Sequence, residues 1–517
     1  MPELGFRPTL PVLLRRAVEL YGDGDYVVMR DRRISFRQAE RATAALARKL
    51  LAAGVGKGTR IGIILPTGID WMVAWLAAAR IGAMPMAFPA TYRPAELQRA
   101  LRISDVAVLF AQRTLLGKDY EALLEESVPS LGAHVDQGPL HDMTVPFLRS
   151  VWMVGGSDRP WATPVDLVDA DHPAEPTVSE EFLAAIEAEV SPADPIVVIY
   201  TSGSSADPKA VVHTHGSTIR KMPQELGICL GGSKGGREFC AMPFFWIGGP
   251  QELLGALYSG AAIVTQERFD VEGALDLIER ERCETIGGWA TLQQELRSHP
   301  TFATRDLALV TPTLPAGMRP ASSKGDPPNL GMTETFGPHA NREYFDYKVI
   351  DPETGESLPD GEIGEFCVRG FGLMAGMYKR EREEVFDVDG YYHTGDRGYI
   401  EDGRIWFKGR FSEMIKSGGA NVAPLEIETV LLSFPEVKAA YVFGLPDAER
   451  GEIVAAAVVP ADGTPVDSLD TDDLRRRINH ELSAYKVPAR WIVVAEADVP
   501  TLSNGKPDKR ALRDRFV

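Results

Sequence analysis

The chain has few of the features that mark extracellular proteins. Four of its 517 residues are cysteine, and none of them belongs to a C-x-x-C pair. So few and so scattered cysteines exclude a disulfide-rich scaffold and favour reduced thiols. The N-terminus has no basic segment followed by an apolar one, so no secretory signal is predicted. We therefore expect a cytoplasmic protein.

Basic residues are outnumbered by acidic ones, 55 to 73, and long apolar runs are scarce. The formal net charge is −18, and the pI is near 5.1. Such a surface argues against nucleic acid or an anionic membrane as a general partner. The most apolar long stretch, residues 241–264, is interrupted by Pro243, Pro250, Gln251 and Glu252. This interruption predicts a buried core segment and no membrane span.

Helical and strand patterns alternate along the chain and predict an α/β fold. Residues 36–54 and 70–81 have helical apolar spacing, and residues 60–66 between them have the pattern of a buried strand. The length exceeds that of one ordinary core. We predict a large N-terminal domain of layered, mostly parallel sheets and helices over 1–411, joined by a hinge to a small α+β domain over 412–517.

A loop dense in hydroxyls and glycine follows the apolar run 196–200. Its sequence is Thr201-Ser-Gly-Ser-Ser-Ala-Asp-Pro-Lys209, and a second apolar run comes after it. Small residues let backbone N–H groups approach an anion, and the lysine adds a point charge. A Walker P-loop is excluded because Pro208 precedes the lysine and Ala210 follows it. The pattern predicts a phosphate-binding strand–loop–strand unit, with a surface hairpin turn as the alternative.

This loop resembles the phosphate signature of the adenylate-forming superfamily, which includes acyl-CoA synthetases, peptide-synthetase adenylation domains and firefly luciferase. The matching residues are Thr201, Ser202, Gly203, Ser204, Ser205, Pro208 and Lys209. The chain departs from the family at Ala206, where the family has glycine. The resemblance implies that the loop binds the phosphates of ATP.

The segment Leu330-Gly-Met-Thr-Glu-Thr-Phe336 places one carboxylate between two hydroxyls. Hard oxygen ligands of this kind suit Mg²⁺, although a lone glutamate in a loop is more often simply solvated. The segment is similar to the superfamily's Y-G-x-T-E motif. The resemblance implies that Thr333 contacts phosphate, that Glu334 holds Mg²⁺ and that Thr335 lies in the nucleotide site. The family's tyrosine is Leu330 here, which leaves the residue that stacks on adenine open.

A third motif, Tyr392-His-Thr-Gly-Asp396, ends in a carboxylate after a glycine. The glycine predicts a tight turn and an exposed carboxylate with a fixed direction, which could accept hydrogen bonds from both ribose hydroxyls. The motif matches the family pattern in full, and Arg410 follows at the family's spacing. The resemblance implies that Asp396 binds ribose and that Arg410 lies near ribose and phosphate; isolated surface charges are the alternative.

Two C-terminal motifs complete the resemblance. Lys506, at a glycine turn, matches the family lysine that bridges the carboxylate and the α-phosphate, which implies a catalytic role beside Thr333 and Glu334. Lys416, Gly418 and Gly419 lie in a segment common in acyl-CoA synthetases, where paired glycines let a pantetheine arm pass. CoA is therefore the expected acceptor. Family behaviour implies that the C-terminal domain is mobile and rotates between the two half-reactions.

The acyl pocket is expected around residues 242–249, which resemble the family's substrate segment. Trp246 stands at the aromatic position, and Gly248 and Gly249 leave room beside it; Gly288 and Trp289 form a second small-and-aromatic pair. Ordinary core packing is the alternative. Because the stretches 289–330 and 334–348 are shorter than in relatives, we hypothesise a relaxed apolar pocket for a bulky, long-chain or polycyclic acid.

Together these motifs predict an AMP-forming acid–thiol ligase that uses ATP, Mg²⁺ and CoA with a small-molecule carboxylic acid. Two alternatives stay open: an enzyme that loads a carrier protein, and a non-catalytic nucleotide-binding protein. The sequence also leaves open whether the chain forms a homodimer. His213 and His215 form an H-x-H pair, for which packing or hydrogen bonding is a better interpretation than metal binding, because no third ligand lies nearby.

Overall fold

A computed structural model describes residues 4–115, 117–134, 138–168, 178–201, 209–225, 235–288, 292–307, 331–338, 344–410, 414–461, 463–500 and 507–516. The chain divides into two compact units. The first unit comprises Met1–Ala90, Ala100–Tyr200 and Ala210–Lys408. The second unit comprises Thr91–Arg99, Thr201–Lys209 and Gly409–Val517. Two short stretches from the first half of the chain thus belong to the same unit as the C-terminal residues.

Two mostly parallel sheets dominate the first unit. The five-stranded sheet has the spatial order Thr285–Gly287, Arg237–Cys240, Ala262–Thr265, Asp25–Val28 and Arg33–Ser35. The eight-stranded sheet has the order Gly376–Met377, Lys209–Thr214, Pro195–Thr201, Met84–Ala87, Arg60–Ile64, Val108–Gln112, Ser150–Val154 and Ala162–Val165. Strands at the edges, Arg33–Ser35 and Gly376–Met377, pair antiparallel with their neighbours. The prediction of layered, mostly parallel sheets is confirmed.

Helices connect the strands of these sheets, and the apolar spacing predicts two of them, over 36–54 and 70–81. The helices of this part of the chain are Leu10–Tyr21, Phe36–Ala52, Ile69–Arg80, Pro94–Ser104, Tyr120–Ser127, Glu180–Ala188, His215–Ile219, Met222–Glu225, Gly248–Ser259, Val271–Arg280, Leu292–Ser298 and Arg382–Val385. Phe36–Ala52 begins with a capping box: Gln38 N–H donates to the Ser35 hydroxyl at 3.2 Å, and Ser35 N–H donates to Gln38 Oε1 at 2.9 Å. Ile69–Arg80 is buried on all sides, as expected for a helix that is apolar all round.

A third sheet carries the predicted motif 392–396 in its strand Tyr392–Glu401 and Arg410 at the end of its strand Arg404–Arg410. Its strands are, in spatial order, Phe345–Ile350, Gly364–Gly370, Tyr392–Glu401 and Arg404–Arg410, and its first three strands pair antiparallel. Two short ribbons pair Gly331–Met332 with Gly337–Pro338 and Thr114–Leu115 with Lys118–Asp119. Buried aromatic and aliphatic side chains, among them Phe345, Phe366 and Tyr392, form the core of this region.

The second unit is an α+β unit with its own core. Its sheet has the order Ala420–Val422, Ile415–Ser417, Gly451–Pro460 and Val437–Asp447, and Arg490–Val493 pairs parallel with Gly451–Pro460. Its helices are Pro424–Leu432, Thr471–Glu481 and Lys509–Arg513. The prediction of a small C-terminal unit of the α+β class agrees with these elements. Within the described ranges of the whole chain, no helix is long and apolar enough to cross a membrane.

Candidate active site

The predicted phosphate-and-metal segment forms a tight turn. Thr333–Thr335 is a single 3₁₀ turn between the paired strands Gly331–Met332 and Gly337–Pro338. The turn ends at Phe336, whose φ of 52° and ψ of 54° are left-handed. A left-handed backbone is costly for a bulky residue and persists only where its surroundings enforce it. The buried Phe336 ring packs edge-on against the His213 ring at a centroid distance of 5.0 Å.

Donors from outside the turn bind each of its four carbonyls. His213 Nε2–H donates to Thr333 O at 2.7 Å, Met374 N–H to Glu334 O at 2.8 Å, and Lys221 Nζ to Thr335 O at 2.6 Å and to Phe336 O at 3.0 Å. Buried carbonyls need such partners because an unpaired one loses its hydration without compensation. The backbone of the turn is therefore fixed over its whole length.

The Glu334 carboxylate links two of the predicted motifs. Its Oε1 accepts a hydrogen bond of 2.9 Å from the Tyr392 hydroxyl, and Tyr392 is the first residue of the 392–396 motif. The Thr335 hydroxyl is fully buried and lies 2.8 Å from Gly337 O and 3.2 Å from Met332 O. That hydroxyl holds the turn together, and its predicted contact with the nucleotide stays a prediction.

The expectation of an exposed Asp396 after a tight turn is wrong. Asp396 is 4% exposed and lies inside the strand Tyr392–Glu401. The glycine makes a bulge there: Cys367 pairs with His393 and Glu365 with Arg397, so that three residues oppose the single residue Phe366. Gly395 takes a φ of 71°, and its N–H donates to Glu365 Oε1 at 2.8 Å. The strand continues past the bulge, and Asp396 is one of its buried residues.

Both histidines of the H-x-H pair are buried and hydrogen-bonded. His213 Nε2 faces a carbonyl and must carry the proton, whereas His215 Nδ1 accepts a bond of 3.0 Å from Leu10 N–H. Burial lowers the pKa of both imidazoles to about 3, so both are neutral at physiological pH. The interpretation of this pair as packing and hydrogen bonding is confirmed.

The side-chain oxygens of the turn would fit a magnesium ion that is held mainly by a nucleotide. Among the residues that the structure describes, no group of three His, Cys, Asp or Glu side chains could hold a metal. Mg²⁺ is usually bound by one or two carboxylates together with substrate phosphates and waters. Glu334, whose Oε1 accepts the hydrogen bond from Tyr392, would be such a carboxylate if the predicted role holds. The arrangement suits MgATP and does not suit an all-protein metal site.

Neighbouring atoms occupy the space beside the three glycines of the predicted acyl pocket. A Cβ on Gly249 would overlap Phe244 Cα, and one on Gly288 would overlap Leu292 Cδ2. A Cβ on Gly248 would lie 2.9 Å from Met242 Cε. The expectation that these glycines leave room is therefore wrong, because the backbone and side chains pack closely against them. The half-buried Trp246 lies near the end of the loop 241–247 that leads into the helix Gly248–Ser259.

The other predicted residues lie at strand ends and in a hairpin. Thr201 ends the strand Pro195–Thr201, Lys209 begins Lys209–Thr214, and Arg410 ends Arg404–Arg410. In the second unit, Lys416 lies in a strand, and Gly418 and Gly419 form the two-residue hairpin turn with φ of 56° and 81°. The predicted residues outside the described ranges are Ser202, Gly203, Ser204, Ser205, Pro208, Trp289 and Lys506, and Leu330 also lies outside them.

Lys221 is a site residue that the sequence does not reveal. It belongs to no motif, and its bonds to the turn join residues 114 and 115 positions apart. A single lysine beside a short helix is normally solvent-exposed, whereas this one is 1% exposed. Nothing in the surrounding sequence indicates that this lysine is buried, so sequence reasoning had no signal by which to find it.

Family models and known relatives agree with this geometry. The AMP-binding enzyme model matches residues 14–378, and the model of the AMP-binding enzyme C-terminal domain matches residues 426–506. Acyl-CoA ligase SID4 of Ajellomyces capsulatus is 29% identical, over 93% of this chain and 86% of the relative. The 3-(7a-methyl-1,5-dioxo-octahydro-1H-inden-4-yl)propanoyl:CoA ligase of Mycobacterium tuberculosis is 29% identical, over 98% of each chain.

Solved structures show the same fold. The amide bond synthetase McbA from Marinactinospora thermotolerans has a TM-score of 0.74 and 25% identity, over 98% of this chain and 99% of that chain. The chain belongs to the AMP-binding enzyme family and thus to the adenylate-forming superfamily. It is an enzyme of the AMP-forming acid–CoA ligase class, which activates a carboxylic acid as its adenylate and forms a CoA thioester.

Proposed function

We propose that this ligase activates a bulky apolar carboxylic acid with MgATP and transfers the acyl group to CoA. One observation carries the nucleotide part of the proposal: the 2.9 Å hydrogen bond from Tyr392 to Glu334. It joins the segment matched to metal and phosphate binding with the segment matched to ribose binding. Two motifs that are 58 residues apart in sequence thus meet where one nucleotide would contact both.

The proposed roles follow the motifs residue by residue. The loop from Thr201 to Lys209 binds the β- and γ-phosphates, Glu334 holds Mg²⁺ and Thr333 contacts phosphate. Asp396 binds ribose, and Arg410 lies near ribose and phosphate. A substrate carboxylate oxygen attacks the α-phosphorus, and the bond to pyrophosphate breaks. Lys506 offsets the charge that builds up on the α-phosphoryl oxygens, and a preorganised group of this kind is worth about 10²–10³-fold in rate.

The proposed acceptor is the thiol of CoA. Its sulfur attacks the acyl carbonyl, the bond to AMP breaks, and the thiol proton is released. The exposed hairpin at Gly418 and Gly419 supports this acceptor: an added Cβ on Gly418 would have no neighbour within 4 Å, so a thin pantetheine arm could pass beside it. A carrier protein and an amine are the competing acceptors, the latter because McbA is an amide bond synthetase.

The proposed acid is large and apolar. The Mycobacterium tuberculosis relative is named for a fused-ring propanoyl group, and it matches 98% of this chain. The short stretches 289–330 and 334–348 also support a relaxed pocket. The glycines at 248, 249 and 288 do not, because their neighbours fill the space. We place the enzyme in the cytoplasm, supported by Cys240, Cys283 and Cys367, which are buried free thiols.

A carboxylic acid panel tests the function and the substrate class together. Acetate, benzoate, palmitate, cyclohexane carboxylate and a polycyclic propanoate are each assayed for AMP release, with CoA, a phosphopantetheine-loaded carrier protein or an amine as acceptor. We expect release with CoA and the bulky acids. AMP release with none of these acids would refute the ligase activity. A strong preference for acetate or benzoate would refute only the bulky substrate.

The variant Lys506→Ala tests the two half-reactions separately. We expect loss of acid-dependent ATP–pyrophosphate exchange, while thioester formation from supplied acyl-adenylate is largely kept. Lys509→Ala is the matched control, because it removes a lysine three residues away whose Nζ binds Glu428 at 2.7 Å. Equal losses of both half-reactions in Lys506→Ala would contradict the assigned role.

A further inference from the structure

The buried lysine below the Thr333–Phe336 turn has no role in the motifs of the family. We propose that Lys221 is a positioning residue that sets the backbone of this turn, so that Thr333 and Glu334 are preorganised for MgATP. The inference rests on the proposed function, because it takes Glu334 as the metal-binding carboxylate. It assigns to Lys221 no contact with substrate.

The surroundings of Lys221 show that it is built into the site. The side chain is 1% exposed, and its Nζ lies 5.3 Å from the centre of the Phe345 ring. Its stem is confined as well, since a Cβ added to Gly372 would lie 3.0 Å from Lys221 Cδ. Burying an ammonium group is costly unless it is hydrogen-bonded. The two bonds to Thr335 O and Phe336 O supply part of that compensation.

These two bonds favour one conformation of Phe336. The carbonyls of Thr335 and Phe336 lie on either side of the Phe336 φ and ψ bonds. In extended backbone, successive carbonyls point in opposite directions, whereas in left-handed backbone they point to the same side. One ammonium group can bind both carbonyls when Phe336 has helical backbone of either hand, but not when it is extended. Lys221 thus stabilises the left-handed Phe336 relative to the extended conformation and offsets part of the cost of a φ of 52°.

The conformation of Phe336 in turn constrains the three residues before it, because the Phe336 N–H donates to Thr333 O at 3.0 Å and closes the turn that contains Thr333 and Glu334. Thr333–Thr335 is a single turn whose last residue is followed at once by Phe336 and then by Gly337, with a φ of 93°. If Phe336 relaxed to an extended conformation, we expect the 3.0 Å bond from its N–H to Thr333 O, which closes the turn, to weaken and the contact of Glu334 with the Tyr392 hydroxyl to loosen. Loss of Lys221 is therefore expected to weaken metal binding without removing a ligand.

Metal binding without turnover tests this inference. The probe is Mn²⁺, measured by electron paramagnetic resonance with saturating α,β-methylene-ATP and no acid, for wild type, Lys221→Gln and Lys221→Met. We expect Lys221→Met to raise the Mn²⁺ Kd about tenfold, as for other supporting groups of metal ligands, and Lys221→Gln to raise it less because one donor remains. The Kd of the metal-free nucleotide should change little.

The matched control is Thr265→Val, which removes another buried donor to a backbone carbonyl, the 2.8 Å bond to Cys240 O. Thr265→Val should lower the thermal midpoint and leave the Mn²⁺ Kd unchanged. An unchanged Kd in folded Lys221→Met, or an equal rise in the control, would overturn the inference. If Lys221→Met does not fold, Lys221→Gln decides by the same criterion. Wild type that binds neither nucleotide nor metal would instead overturn the proposed function.

Discussion

The two units each bury a lysine, and the two lysines are satisfied in different ways. Lys221, in the first unit, is 1% exposed and donates to the backbone carbonyls of Thr335 and Phe336. Lys486, in the second unit, is 4% exposed and donates to the carboxylates of Glu96 at 2.6 Å and Glu426 at 2.8 Å. One cation is thus held by backbone dipoles, and the other by two buried charges.

The difference predicts what each lysine does. A lysine that binds carbonyls fixes the direction of a backbone segment, so its loss should alter geometry more than charge balance. A lysine between carboxylates balances charges that burial makes expensive, so its loss should leave those charges uncompensated. Burial alone lowers the pKa of Lys486, but Tyr485, Glu426 and Glu96 raise it, and the net shift is upward. We therefore expect loss of Lys221 to affect mainly the candidate active site, and loss of Lys486 to affect mainly stability.

Removing Lys486 should have the largest effect on stability. In Lys486→Met, the Glu96 and Glu426 carboxylates stay buried without their cation, which should cost about 3–5 kcal/mol of unfolding free energy. Urea unfolding measures the loss, and hydrogen exchange of peptides from 409–517 locates it in the second unit. Adding Glu96→Gln and Glu426→Gln to the variant should recover most of the loss. A loss below about 1 kcal/mol, the value of an exposed ion pair, would remove the contrast between the two lysines.

Local patterns explain why much of the fold was predictable. The helix predicted over 36–54 is found at Phe36–Ala52, and the helix predicted over 70–81 is found at Ile69–Arg80. In both, the apolar spacing lies within the segment itself, so no distant contact is needed to define them.

Long-range packing explains what the sequence could not predict. The contacts of Lys221 and His213 with the turn form only when segments more than 110 residues apart meet. Glycine misled in two ways: at Gly249 it admits a close backbone neighbour where open space was expected, and at Gly395 it makes a bulge within a strand where an exposed turn was expected. A glycine shows that side-chain atoms are missing, but not what occupies their place.

Acid should weaken the first unit through its buried histidines. His213 and His215 have a folded-state pKa of about 3, against about 6.5 in an unfolded chain. The unfolded state therefore binds more protons between these values, and stability is lost as the pH falls from about 6.5 towards 3. The slope is about 1.4 kcal/mol per pH unit for each histidine. Urea unfolding at pH 7.5, 6.0 and 5.0 measures it.

A histidine variant separates this effect from general acid denaturation. His213→Gln removes one of the two titrating groups and keeps a donor, so its slope between pH 6.0 and 5.0 should be smaller than that of wild type. His480→Gln is the control, because the His480 side chain is 72% exposed. Equal slopes in wild type and His213→Gln would contradict the prediction. A shallower slope in His213→Gln would also show that the region where His213 binds the turn contributes to the pH dependence.

The smallest expected effect sharpens the comparison at the site itself. Tyr392→Phe removes the one bond to Glu334 Oε1 and leaves the backbone of the turn intact. The Mn²⁺ Kd should rise about fivefold, less than in Lys221→Met, because only one oxygen of the carboxylate loses its orientation. Tyr391→Phe is the control, since the Tyr391 hydroxyl donates to Asp346 Oδ2 at 2.7 Å, away from the turn. If Tyr392→Phe weakened metal binding more than Lys221→Met, the carboxylate contact would matter more than the backbone, and the role assigned to dipole-bound lysine would have to be given up.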